Sequence, residues 1–417
     1  MPEIVFDEVM SSSPPGGEED IEWLKELKLP FTDMGFGEGL LKQLRELEPF
    51  LLGFEHMLLL GVGGSALGAR ALRDAFLPEA RFPGYEGRRL WIADVMDEAA
   101  FHRLLSGLPP ARTLVVVVSK SGGTLETAAQ YHLALDWMMR REPAAWRDHF
   151  LIVTDERSGF LRGEAERTGC RSLPVPAGLG GRYSVFSAVG LVPAMFIGMD
   201  HEAFFRGASG AAEEFRAAGP NSPLLRAAAW AAEKTPERPI CVFFNWIPGW
   251  KTLNAWFSQL WAESLGKDGK GSTPVTAVGN TDMHSQLQLY LDGPADKICI
   301  YLTSARPQEA GKIAEPPVAE IGRPLAGCWD YLAGLRLSDI LDAQCRAIRQ
   351  TLERFSMPVL EMRAERLDEE EFGAVMWMLG MITILTGHRL GIDPLNQPAV
   401  EEGKRLTRAI LRDRFKE

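Results

Sequence analysis

No stretch of the chain is apolar for long enough to cross a bilayer. The most apolar run, residues 374–386 (AVMWMLGMITILT), falls short of the ~20 residues that a spanning helix needs, and it is expected to be a buried helix. The opening MPEIVFDEVM lacks the basic and apolar regions of a secretory signal, so no targeting segment is expected. Cysteine is sparse: Cys170, Cys241, Cys299, Cys328 and Cys345 are odd in number and form no CxxC pair. That excludes a disulfide framework or thiolate zinc site and implies reduced core thiols in a cytoplasmic protein. Positive charge is in deficit, with 45 Lys and Arg against 56 Asp and Glu and a net charge of −11, which argues against a nucleic-acid or anionic-membrane partner. An anionic ligand would therefore have to be captured by local dipoles and a few placed cations.

What is present reads as strand–helix alternation. The 417 residues exceed what one core supports, so two domains are expected. Residues 1–20, containing SSSPPGGEED, read as a mobile lead-in. Apolar runs at 56–60, 89–94, 113–119, 149–155 and 171–176 alternate with helical periodicity, which predicts a parallel sheet covered on both faces in a first domain over 21–200. An Ala-rich helical connector follows over 201–238. The pattern restarts at 240–246, 274–279, 297–304 and 358–363, giving a second domain of the same design over 239–365. Residues 366–417 read as helical, broken at 391–398. The fold class is α/β: two parallel-sheet αβα sandwiches plus C-terminal helices.

Two loops draw attention first. GVGGSALG (61–68) sits between a strand and a helix, where glycine lets the backbone approach a ligand and free helix N–H groups face an anion. The same spacing fits a dinucleotide fingerprint, with Asp94 closing the next strand, or a plain tight turn. SKSGGTLET (119–127) adds the hydroxyls of Ser119, Ser121 and Thr124 and the cation of Lys120. A phosphate monoester offers three acceptor oxygens to such a set, whereas a plain reading makes it a capped helix start. Two such loops at strand C-termini in one sheet favour a phosphate crevice.

Four further residues are chemical candidates. Arg182 lies in a glycine loop (178–191), suited to stabilising an oxyanion, although most arginines are solvated. Glu263 continues the apolar stripe Leu253, Trp256, Leu260 of a helix, with Gln259 one turn before it, so a part-buried base competes with an ordinary surface glutamate. His284 is placed at a helix start after the strand 274–279, with no second histidine at metal-ligand spacing, which suits acid–base work better than metal binding. Lys404 borders a stripe of Ala399, Gly403, Leu406 and Ile410 that is expected to be buried, and alone it would read as a snorkelling surface lysine.

The ordered set GVGGSALG, SKSGGTLET, GGRYS, QLWAESLGK, DMHS and NQPAVEEGK resembles the signature motifs of glucose-6-phosphate isomerases of the shorter bacterial type, over roughly residues 55–410. The resemblance implies two sugar-isomerase (SIS) domains, each a parallel five-stranded sandwich, and a homodimer with a shared site. It implies a sugar phosphate as substrate and no metal or other cofactor. By the same resemblance Ser65, Ser119, Lys120, Ser121 and Thr124 bind the phosphate, and the Gly64 backbone meets the sugar. Glu263 moves the proton between C1 and C2, and Arg182 stabilises the enediolate. His284, from the partner subunit, opens the ring with Lys404, while Gln259, Glu126 and Gln397 position the sugar and orient His284. Ala66 stands where many relatives carry a polar residue. Other readings are a glucose/mannose-6-phosphate isomerase, a non-catalytic sugar-phosphate-binding regulator, and an NAD-dependent oxidoreductase resting on the first glycine loop.

Overall fold

The computed structural model describes residues 2–5, 16–305, 330–332 and 334–414. The apolar runs are strands of two separate sheets: β1 (Glu3–Val5), β2 (His56–Leu60), β3 (Arg89–Ala93), β4 (Thr113–Ser119), β5 (Phe150–Asp155), β6 (Arg171–Val175), β7 (Ile240–Asn245), β8 (Thr273–Val278), β9 (Lys297–Ser304) and β10 (Val359–Ala364). The first sheet has the order β3-β2-β4-β5-β6 and is parallel throughout. Helices cover both of its faces, so β4 is buried at every residue and reads as continuous Val and Leu rather than as alternation.

The second sheet has the order β1-β10-β9-β7-β8. Taken from β8, its four parallel strands repeat the sequence of places β3-β2-β4-β5 of the first sheet. The fifth place differs from expectation. It is filled by β1, antiparallel to β10, with Glu3 opposite Arg363 and Val5 opposite Glu361. The second sheet is therefore mixed, and residues 3–5 of the expected lead-in are an edge strand. Antiparallel pairing at an edge needs no crossover helix, so a distant segment can dock there. A helix already runs over Gly17–Leu27, which includes the end of that same lead-in.

Residues 201–238 form two helices, His201–Ala218 and Pro223–Lys234, that bury much of their surface and do more than connect. The first crosses the Glu369–Arg389 helix, which is buried from Glu371 to Gly387. Glycine makes the crossing close: a Cβ on Gly207 would lie 1.7 Å from the Glu370 carbonyl oxygen, and one on Gly373 would lie 1.9 Å from that of Phe204. Among the described residues no helix is long and apolar enough to cross a membrane. Cys170, Cys241, Cys299 and Cys345 are free thiols, and Cys328 lies outside the described residues.

Candidate active site

Strand order in the first sheet reverses between β2 and β4, so their outgoing loops diverge to opposite faces and leave a crevice at the strand C-termini. The two loops singled out from sequence flank that crevice. Gly63 has φ +55°, a left-handed conformation open to glycine. Gly64 packs directly on the arginine loop, since a Cβ there would lie 2.2 Å from the carbonyl oxygen of Gly181. Ser65 is half-buried in the short turn Gly63–Ser65. Across the crevice, the Ser119 and Thr124 hydroxyls are hydrogen-bonded at 2.9 Å, and Ser121 is exposed. Glu126 is half-buried in the first turn of the helix Leu125–Arg141. Lys120 is part-buried, and burial pulls its ammonium below the ordinary lysine range, opposed by Asp155 and reinforced by Arg182.

Arg182 is 2% exposed and is the hub of the site. Its Nε donates to Ser264 Oγ at 2.7 Å, and Nη1 donates to Glu263 Oε1 at 3.0 Å and Gln397 Oε1 at 3.2 Å. Its Nη2 donates to the carbonyls of Pro394 (2.5 Å) and Asn396 (3.4 Å). Glu263 rides the last turns of the Leu253–Leu265 helix with its carboxylate 19% exposed. Its other oxygen accepts from Gln259 Nε2 at 3.0 Å. The Gln259 Oε1 is buried without a partner, an acceptor available for a ligand hydroxyl. One carboxylate is thus held open at its edge by an amide and a planar cation, beside a hydroxyl-lined crevice.

A family model described as phosphoglucose isomerase matches residues 53–281, which carry the glycine loop, the hydroxyl loop, Arg182, Gln259 and Glu263. The glucose-6-phosphate isomerase of Rubrobacter xylanophilus is 37% identical over 362 residues, spanning 84% of this chain and 81% of the relative. The chain belongs to the phosphoglucose isomerase family. That makes it an enzyme of the aldose–ketose isomerase class. A glucose-6-phosphate isomerase of Thermus thermophilus is 34% identical over 89% of this chain and 86% of its own. Among solved structures, a hypothetical protein of the same organism superposes with a TM-score of 0.87 at 32% identity, covering 99% of this chain and 100% of that one. A glucose-6-phosphate isomerase of Chlamydia trachomatis shares the fold, with a TM-score of 0.73 at 22% identity over 91% of this chain and 74% of its own.

Two residues expected of a phosphoglucose isomerase, His284 and Lys404, make no hydrogen bond to Arg182, Glu263 or Gln259 among the described residues. His284 is exposed and makes no hydrogen bond or ion pair among the described residues. It lies in the last turn of the short helix Gly279–Ser285, not at a helix start, because that helix begins directly at the end of β8 and Asp282 reaches back to accept from the Val278 N–H. Lys404 is exposed and paired with Glu401 at 2.7 Å. The stripe beside it is not buried: no residue of the helix Pro398–Asp413 is, and Val400, Leu406 and Ile410 are 48%, 47% and 61% exposed. Asp94, the acid a dinucleotide site would need, is held by Arg70 at 2.5 Å. Sequence reasoning missed Ser264, Tyr183 and the Pro394 and Asn396 carbonyls, all of which aim Arg182 or its partners. Their signal is spatial, for they meet only when residues 180–184, 264 and 394–397 converge.

Proposed function

We propose that this enzyme interconverts glucose 6-phosphate and fructose 6-phosphate through a cis-enediol, using acid–base proton transfer alone. The observation that carries the reading is the Arg182–Glu263–Gln259 constellation at the mouth of the hydroxyl-lined crevice. In this reading the phosphate sits among Ser65, Ser119, Lys120, Ser121 and Thr124, and the sugar lies along Gly64 toward Glu263. The carboxylate takes the proton from C2 of the aldose and returns it to C1, while the Arg182 guanidinium stabilises the charge on the intervening enediolate oxygen. Gln259, Glu126 and Gln397 position the sugar. His284 of one subunit and Lys404 open the ring in a homodimer whose sites are shared. The uncovered apolar face of the Pro398–Asp413 helix and the isolation of His284 within one chain both support pairing. The free thiols accord with a cytoplasmic location. Residues 21–200 and 239–365 are read as the two SIS domains, the second taking the edge strand of its sheet from Glu3–Val5.

The test is a coupled assay converting fructose 6-phosphate to glucose 6-phosphate with added chelator. Glu263→Gln should retain phosphosugar binding by calorimetry yet lose about 10²–10⁴-fold in turnover, the range for a positioned acid or base. Turnover near wild type in that variant would remove Glu263 from the role of base.

A further inference from the structure

We infer that Lys267 is a positioning residue for the isomerisation: its ammonium clamps the last turn of the Leu253–Leu265 helix and so fixes both Glu263 and the serine that aims Arg182. This inference rests on the roles proposed above for Glu263 and Arg182. The last carbonyls of a helix have no intrahelical donors and carry its negative dipole end. Here the carbonyl of Ala262 accepts from the Gly266 N–H at 3.0 Å and that of Leu265 from the Lys267 N–H at 2.9 Å. The remaining two are those of Glu263 and Ser264, and both accept from Lys267 Nζ, at 2.9 and 2.6 Å. One side chain therefore holds the backbone of the two residues that carry the carboxylate and the Arg182 anchor. Ser264 Oγ, on the backbone so held, accepts from Arg182 Nε at 2.7 Å and bonds the Tyr183 hydroxyl at 3.0 Å.

The clamp is also electrostatic. The ammonium is faced by Arg182 from the loop after β6, by Asp393 from the segment before the final helix, and by Glu263 and Asp268 from its own stretch of chain. Burial, reinforced by Arg182, holds its pKa down to about 8 against the pull of the three carboxylates. The charge that strengthens both carbonyl bonds is thus complete below that value and lost as pH rises through it.

The experiment is steady-state kinetics of the full-length enzyme on fructose 6-phosphate across neutral to alkaline pH, for wild type, Lys267→Met, Lys267→Arg and Glu263→Gln. At neutral pH Lys267→Met should lower kcat by about tenfold or more with KM changed less than about twofold, the pattern of a lost transition-state contribution. The ratio of wild-type to Lys267→Met kcat should shrink as pH rises through about 8. Lys267→Arg keeps two donors and a permanent charge, so it should restore most of kcat and abolish that alkaline decline. Wild-type kcat in Lys267→Met, or a pH-independent ratio, would overturn the inference. Should the methionine variant not fold, an unchanged alkaline decline in Lys267→Arg would overturn it equally. If Glu263→Gln keeps turnover, the proposed base fails first; if it loses turnover while Lys267→Met does not, only the clamp fails.

Discussion

Arg182 shows how much a single buried side chain can be asked to hold. Its five hydrogen bonds reach a serine, a carboxylate, an amide and two carbonyls. Lysine keeps the charge but not the planar fork, so Arg182→Lys should leave buried acceptors unpaired and cost about 10²–10³-fold in kcat. Coupled assays alongside thermal melts would show both the loss of turnover and a lowered Tm. Lys120 gives a second prediction at this scale. Its ammonium is held below the usual lysine range by burial, so phosphosugar affinity should weaken on the alkaline side earlier than an ordinary lysine dictates. Calorimetric titration against pH should show that decline in wild type and a flat profile in Lys120→Met. Candidate residues were legible in the sequence where a loop or stripe framed them, as with Ser119, Thr124, Glu263 and Arg182. What Arg182 grips was not, because its partners lie 81 to 215 residues away in the chain.

Strands declared themselves at the scale of elements because burial on both faces demands unbroken apolar runs, and β2, β4 and β9 fall on the expected residues to the position. Three-residue β1 has no period to read, and its pairing with β10 spans nearly the whole chain. The helix His201–Ala218 does more than its composition declares. Its alanines and glycines read as an Ala-rich connector, yet their smallness is what admits the Glu369–Arg389 helix. A side chain at Gly373 has no space to enter, with the Phe204 carbonyl oxygen 1.9 Å from the position of a Cβ. Gly373→Ala should therefore destabilise the fold by about 1–3 kcal/mol, the cost of overpacking, measurable by denaturant unfolding. The Pro398–Asp413 helix carries an amphipathic pattern that sequence can report but cannot assign to a subunit; one chain leaves that face bare.

At the scale of the whole molecule, the proposal that the site is shared between subunits is directly testable. Glu263→Gln and His284→Ala proteins should each be inactive alone, since each lacks one member of the site. Subunits mixed through reversible unfolding should regain about a quarter of wild-type activity, because half the pairs are mixed and each mixed pair holds one intact site. No recovery, with mixed pairs demonstrated by mass spectrometry, would mean that both residues serve the same subunit. Charge on the bare helix face, as in Ile410→Glu, should shift sedimentation toward monomer and lower activity in parallel. The edge strand β1 has a last consequence, for biosynthesis. The first sheet is complete once Val175 has left the ribosome, but Glu3–Val5 must wait for Val359–Ala364. At ordinary elongation rates that interval is on the order of tens of seconds. The nascent chain thus carries Glu3–Val5 as an unsatisfied strand until Val359–Ala364 has been made, so the second sheet gains its outer edge late in synthesis, long after the first has closed.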